Sequence, residues 1–250
     1  MKVPRNLQDL HAQHESPIIE ARLAAAKQNS YVGDTVLGAI DGCVTTFAVV
    51  AGSAGAKFPT EIAVILGLAN LLADGFSMAV SNYQRAKSEH ELLARARAIE
   101  EMHVREVPEG EREEVRQIYA AKGFQGEVLE EIINGITQDH ELWVNTMLTE
   151  ELGLRLDLPK PGIAALATFL GFCAAGIVPL LPYLLTDLPY EQVFISSIAA
   201  TGVTFFAIGL LKGRVLEYPL LRSGLETLLM GGSAAALAYV AGVFLRGWLG

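Results

Sequence analysis

Residues 161–186 read PGIAALATFLGFCAAGIVPLLPYLLT, and none of these side chains carries a charge. A helix needs about 20 mostly apolar residues to cross the hydrocarbon core of a bilayer. Every backbone group in lipid must be satisfied internally, and the alternation typical of a membrane-spanning strand is absent here. The stretch therefore predicts a transmembrane helix, which we expect over Gly162–Leu185.

Four further stretches of the chain meet the same criterion of length and hydropathy. They are Val32–Gly55, Glu61–Gln84, Glu191–Leu211 and Ser223–Leu245. Small residues recur in them, as in the GxxxG pair of Gly38 and Gly42, and we expect these glycines to allow close helix packing.

Charge is concentrated in one block between the second and third of these stretches. The 19 basic and 28 acidic residues give the 250-residue chain a net charge of −9. Residues 85–160 contain 17 acids and 10 bases, which supply −7 of that charge. A soluble domain spreads its charge over its whole surface, so this pattern indicates a chain in contact with both lipid and water. The acidic balance argues against a nucleic-acid partner.

The basic residues that flank the spans predict the orientation. Arg22 and Lys27 precede the first span, and Lys212, Arg214 and Arg222 connect the fourth to the fifth. Residues 186–191, between the third and fourth spans, contain no base. Cytosolic loops carry the excess of Lys and Arg, so we expect the N-terminus and the charged block to be cytosolic. With no targeting extension visible, we expect a bacterial inner membrane.

Two carboxylates fall near the middle of spans. Asp41 and Asp74 lie there without a Lys or Arg in the central part of any span. Inserting a charged group at this depth of the membrane costs roughly 2.5–3.5 kcal/mol, so we interpret each of these carboxylates as a functional residue. Asn70, Asp74 and Met78 are four residues apart and share one helix face. Oxygen and thioether donors together suit a transition metal better than magnesium or calcium.

The charged block itself predicts a set of helices. The second span is expected to continue as a polar helix from Asn82 to Val104, broken by Pro108 and Gly110. Further helices are expected over Glu111–Lys122, Glu127–Asn134 and Asp139–Leu152.

Three pairs of metal-binding side chains have helical spacing in this block. They are Glu100 with His103, Glu111 with Glu114, and Met147 with Glu151. Their convergence would make a metal cluster in the insert. The chain is thus predicted to be an all-α integral membrane protein with five transmembrane helices and a cytosolic helical metal-binding insert between helices 2 and 3. The expected domains are an N-terminal arm (1–30), helices 1–2 (31–84), the insert (85–160) and helices 3–5 (161–250).

Four motifs carry a resemblance to a known family. They are GAIDGCVTTFAVVAGSAG (38–55), LADGFSMAVSNYQRAKSEHE (72–91), MLTEELGL (147–154) and VPLLPY (178–183). In this order they resemble the vacuolar iron transporter (VIT) family in its bacterial form, over nearly the whole chain from Tyr31 onward.

The resemblance implies a homodimer with an ion path at its interface, and export of metal from the cytosol in exchange for protons. Asp41 and Met78 look like the family's pore aspartate and methionine. The cytosolic metal ligands are implied at Glu100, Glu111, Glu114, Met147 and Glu151. The expected substrates are Fe²⁺ and Mn²⁺, with Co²⁺, Ni²⁺ or Zn²⁺ open, and no prosthetic group is expected.

Three positions depart from the family pattern and put the preferred ion in question. Asn70 stands where many members have a glutamate, with Asp74 one turn later as a substitute carboxylate. His103 occupies a cytosolic glutamate position, and Leu148 replaces a second methionine. An imidazole ligand fits iron, cobalt, nickel or zinc as well as manganese.

Two rival functions are considered. A ferritin-type di-iron oxidase needs two Glu-x-x-His pairs, and only Glu100 with His103 forms one. A membrane-anchored metal sensor or scaffold would bind ions in the insert without transport. Asp41 and Asp74 argue against it, because an anchor has no reason to carry their insertion cost.

Overall fold

The computed structural model of the protein describes residues 11–12, 14–26, 31–186, 189–215 and 217–249, and the regular structure in these ranges is helical. Lys27, Asp187, Leu188 and part of the N-terminal arm lie outside the described residues. The chain divides into two compact units, which are described separately below. One contains Ser30–Gln84 and Pro161–Gly250, and the other contains Arg85–Lys160.

The α-helices are numbered along the chain. They are α1 (Ser16–Ala26), α2 (Val32–Gly55), α3 (Thr60–Glu106), α4 (Pro108–Ala121), α5 (Gly126–Thr137), α6 (His140–Thr146), α7 (Pro161–Gly176), α8 (Leu181–Leu185), α9 (Tyr190–Val215) and α10 (Leu220–Leu249). A π-helical turn follows α6 over Met147–Glu151, and a 3₁₀ turn over Val178–Leu180 connects α7 to α8.

Five helical segments are long and apolar enough to cross a membrane. They are Val32–Gly55, Thr60–Glu106, Pro161–Leu185, Tyr190–Val215 and Leu220–Trp248. The prediction of an all-α protein with five membrane-spanning helices is therefore confirmed. The predicted continuation of the second span is also correct, since α3 is a single helix of 47 residues.

The third span is not the single helix expected from the sequence. It breaks at the 3₁₀ turn, because Pro179 has no N–H to give to the preceding helical turn. At this break, the Ser197 hydroxyl of α9 donates a hydrogen bond to the Pro179 carbonyl oxygen, at 2.7 Å. The break is thus held by a neighbouring helix rather than left unsatisfied.

Glycines bring α2 and α7 into backbone contact. A methyl group on Gly38 would overlap the Thr168 carbonyl, and one on Gly42 would overlap the Phe172 carbonyl. From the other side, a methyl group on Gly171 would overlap the carbonyl of Thr35. The packing role expected of the GxxxG pair is confirmed, and it ties the helix that carries Asp41 to its neighbour.

The unit of residues 85–160 has its own apolar core. Val115, Ile133, Val144, Met147 and Leu148 form its fully buried part. The expectation that Gly110 breaks the chain is wrong, because α4 already begins at Pro108. Proline suits the first turn of a helix, where its missing N–H has no partner in any case.

Candidate metal centre

Glu100, His103 and Glu111 come together where α3 ends and α4 begins, and the charge of the exposed Glu114 acts on both glutamates. Only Val107 separates these two helices, and its N–H donates to the His103 carbonyl at 2.8 Å. The link is therefore one residue long, and Glu111 in the first turn of α4 lies beside His103 in the last turn of α3. This short link is the local reason that residues of two successive helices come together.

Three of these side chains place ligand atoms within reach of a single ion. One atom each from Glu100, His103 and Glu111 lies within 4.8 Å of the others. The His103 Nδ1 is 3.3 Å from the Glu111 Oε1. A transition metal at roughly 2.0–2.2 Å from each donor needs ligand atoms up to about 4 Å apart. Small side-chain adjustments would bring the three ligand atoms to the spacing that such an ion requires.

The two glutamates of this cluster are buried. Glu100 is 4% exposed and Glu111 is 3% exposed, and among the described residues they are the only charged side chains in the buried class. Oε2 of each is buried and has no hydrogen-bond partner. Buried carboxylate oxygens are normally paired, and an orphaned one requires an explanation. A bound cation would supply one.

The cluster raises the proton affinity of its own carboxyl groups. Burial, followed by repulsion from Glu114 and Glu100, raises the pKa of Glu111 to about 7, although His103 opposes the shift. Burial is also the largest cause that raises the pKa of Glu100 and of Glu151, and Glu114 adds to both. The negative charges of these carboxylates therefore repel one another, and a divalent cation would reduce that repulsion.

Several bases of this unit form ion pairs with other acids. Arg116 pairs with Glu113 and, at 3.0 Å, with Glu130. Lys122 pairs with Glu150, the immediate neighbour of Glu151. Within the described ranges, no Lys or Arg forms an ion pair with the four glutamates predicted as ligands.

Met147 and Glu151 lie at the two ends of the π turn. The turn is closed by the Leu152 N–H, which donates to the Met147 carbonyl at 3.2 Å. Glu151 is exposed, and its charge acts on Glu100 and Glu111. The Met147 side chain is fully buried in the apolar core beside Leu148. Glu151 therefore acts on the cluster through its charge. The Met147 side chain, by contrast, packs among apolar neighbours.

In the other unit, the predicted membrane residues gather between α2 and α3. The Thr45 hydroxyl donates to the Asp41 carbonyl at 2.9 Å, and the Asn70 amide lies 3.4 Å from the Thr45 oxygen. Asp41 and Asp74 are close enough for their charges to repel each other. Asn70, Asp74 and Met78 are all half-buried, on the face of α3 expected from their spacing.

Sequence reasoning missed a polar cluster at the start of α2. The Asn82 amide, 8% exposed, lies 2.9 Å from the Asp34 Oδ1, 2.7 Å from the Thr168 hydroxyl and 3.2 Å from the Ala164 carbonyl. The amide of Asn82 thus donates hydrogen bonds to acceptors on both α2 and α7. The available signal was spacing, since Asn82 follows Met78 by the same four residues that separate Asn70, Asp74 and Met78.

Comparisons with known proteins find relatives over most of the chain. The model of the VIT family matches residues 32–243. Vacuolar iron transporter 1 of Tulipa gesneriana is 31% identical over 210 residues, which cover 83% of this chain and 84% of that protein. Vacuolar iron transporter 1 of Oryza sativa subsp. japonica is 30% identical over 230 residues, covering 92% and 89%. The vacuolar iron transporter of Toxoplasma gondii is 29% identical over 257 residues, covering 97% and 85%. The chain belongs to the VIT family.

Proposed function

We propose that this protein transports divalent transition-metal ions, Fe²⁺ or Mn²⁺, out of the cytosol in exchange for protons. Its relatives named vacuolar iron transporters support iron as the substrate. VIT family proteins are transporters rather than enzymes, so an oxidase function is set aside. The proposed location is a bacterial inner membrane, while the named relatives are vacuolar.

The observation that carries the proposal is the buried cluster of Glu100, His103 and Glu111. Its ligand atoms lie within 4.8 Å of one another, and two of its carboxylate oxygens have no hydrogen-bond partner. Glu114 and Glu151 add negative charge around it. We assign this cluster the role of collecting metal from dilute solution, because clustered negative charge raises the local concentration of cations. Met147 remains a proposed ligand, which would require its buried side chain to turn.

The proposed domain roles follow the orientation of the basic loops. The arm (1–30) and the insert (85–160) face the cytosol, and segments 31–84 and 161–250 form the membrane domain. Lys212, Arg214 and Arg222 lie between α9 and α10 or at their ends, in accord with a cytosolic loop.

The proposed path runs past Asp41, Asp74 and Met78, with Asn70 beside them. Two nearby carboxylates in an apolar environment are more stable with a bound cation or a bound proton than with both negative charges uncompensated. Exchange follows, because proton binding from the far side displaces the metal. We also propose a homodimer that places this face of α3 along a shared path.

The first test is metal uptake into proteoliposomes with an acidic lumen, for Fe²⁺, Mn²⁺, Co²⁺ and Zn²⁺ in turn. The proposal predicts uptake that follows the proton gradient and is lost in Asp41→Ala. Glu61→Gln, which changes an exposed acid at the start of α3, is the matched control and should transport normally. The ranking of the four metals identifies the preferred ion.

The same assay separates transport from sensing. If the folded native protein binds metal in its insert but moves none across the membrane, a membrane-anchored sensor or scaffold becomes the better account. Normal uptake by Asp41→Ala would instead remove this carboxylate from the path.

A further inference from the structure

A groove lies at the end of the membrane unit where α2 ends and α9 begins. Its volume is about 760 Å³, in the range typical of small-molecule sites. Apolar and aromatic walls come from Phe58, Phe194, Ile195 and Tyr239, with Phe194 and Tyr239 stacked at 6.1 Å. Tyrosine side chains are enriched where a membrane meets water. Its apolar wall is open to the surroundings, since Phe58 is 46% exposed and Ile195 is 64% exposed.

Two opposite charges share this groove without pairing. Lys57 and Glu191 both line it and both are exposed. Among the described residues neither side chain has an ion-pair or hydrogen-bond partner. An acid and a base that face one groove without contacting each other match a ligand that carries both charges.

The backbone at Lys57 is a second, independent observation. Lys57 has φ 56°, the left-handed conformation that glycine adopts at helix ends without cost. Its N–H donates to the Ala54 carbonyl at 3.0 Å, and the Phe58 N–H donates to the Ser53 carbonyl at 2.9 Å, closing a Schellman turn. Non-glycine residues held in this conformation cluster at functional sites. Lys57 therefore carries a backbone cost that a glycine would not.

We propose that this groove binds a membrane phospholipid with a phosphoethanolamine headgroup. The phosphate lies at Lys57, the ammonium donates hydrogen bonds to Glu191, and an acyl chain follows Phe58 and Ile195. This inference is independent of the metal path, since none of these residues belongs to it.

The charges favour this headgroup over the two common alternatives. An anionic headgroup with a single phosphate would leave Glu191 without a cation and close to a negative charge. A quaternary ammonium keeps its charge but has no N–H, so it cannot form the charge-assisted hydrogen bond that Glu191 offers. The primary ammonium satisfies both ends of the groove.

The test uses the full chain purified in detergent and titrated with phosphatidylethanolamine, phosphatidylcholine or phosphatidylglycerol. Native mass spectrometry measures the lipid retained, and the midpoint of thermal unfolding measures stabilisation. Phosphatidylethanolamine should be retained and should raise the midpoint, and the other two should bind about tenfold more weakly, as expected for one lost charge-assisted hydrogen bond. Equal retention of all three lipids would overturn the proposal.

Substitutions separate a binding role from a structural one. Lys57→Gly relieves the strained φ, so this variant should unfold at a higher temperature without lipid but lose its response to phosphatidylethanolamine. Glu191→Gln should also lose the response, and the exchanged pair Lys57→Glu with Glu191→Lys should recover part of it. Arg246→Gln, which changes a base that lines a neighbouring groove, is the control and should respond normally.

Two outcomes of these variants contradict the proposal. One is an unchanged lipid response in both Lys57→Gly and Glu191→Gln. The other is loss of a dimer in these variants with no change in lipid retention, which would make the groove a contact between two copies of the chain.

Discussion

The Nδ1 atom of His103 lies 3.3 Å from the Oε1 of Glu111, while the Oε2 of the same glutamate is buried and has no hydrogen-bond partner. One carboxylate thus has one oxygen near a ring nitrogen and the other available to a ligand. The Oε2 of Glu100 is likewise buried and has no hydrogen-bond partner. A cation between these groups would satisfy all three side chains at once.

Glu111→Gln should weaken metal binding to the insert by about 10- to 100-fold, the equivalent of losing one charged interaction worth roughly 1.5–3 kcal/mol. The amide keeps the shape of the side chain but removes the charge. Isothermal titration of the purified full chain with Mn²⁺ measures the affinity.

Glu101→Gln is the matched control for this experiment. Glu101 neighbours Glu100 on α3 but is exposed. It has no place in the three-residue cluster. Equal losses in the two variants would mean that the acidic block attracts metal only through its overall charge.

The raised pKa of Glu111 predicts opposite pH dependences for stability and for metal binding. Burial and neighbouring acids raise this pKa from 4.5 to about 7. The metal-free protein should lose stability as the pH rises from about 4.5 to 7, because the folded state holds a proton that the unfolded state has released. Metal affinity should rise over the same window, since metal and proton compete for the carboxylate.

Thermal unfolding of the metal-free protein at several pH values checks this sign. In Glu111→Gln the decrease in stability between these pH values should be smaller than in the native protein. A native protein that becomes more stable over this window, with no difference from the variant, would contradict the assigned pKa.

Hydropathy and charge were sufficient to predict the helices that cross the membrane. Val32–Gly55 has the same bounds in the sequence prediction and in the structure, because an apolar stretch limited by polar residues admits little choice of length. The break at Val178–Leu180 was missed because a proline near a membrane helix end is tolerated either with or without a break. The hydrogen bond from Ser197 that holds it comes from another helix, so no local pattern encodes it.

The candidate metal centre could be predicted only as separate pairs. Helical spacing placed Glu100 with His103 on one face and Glu111 with Glu114 on another. Their approach depends on the one-residue link at Val107, and burial of the two glutamates depends on how the surrounding residues of the unit pack. For Asn82, spacing places the residue on the same helix face as Met78, but its bonds to residues 48 and 86 positions away depend on the packing of other helices.

Asn82→Ala should lower the free energy of unfolding by about 1–3 kcal/mol, the cost of leaving buried partners unsatisfied. Asn82 is 8% exposed and bonds to Asp34 and Thr168 on two other helices. Ser81→Ala is the control, because the exposed Ser81 hydroxyl bonds only within its own helix, to the Ser77 carbonyl at 2.9 Å. Unfolding in detergent measures both, and equal stability would show that the Asn82 contacts contribute nothing.

Gly38→Ala and Gly33→Ala should change stability in opposite directions, although they make the same substitution five residues apart in α2. A methyl group on Gly38 would overlap the Thr168 carbonyl, and backbone cannot move aside as a flexible side chain can. We expect a loss of about 1–3 kcal/mol, as for overpacked cores. Gly33 has nothing within 4 Å of the added carbon, so alanine should stabilise the helix there by up to about 0.5–1 kcal/mol. If both variants prove equally stable in detergent unfolding, the close contact of α2 with α7 is wrong, and so is the position it gives to Asp41.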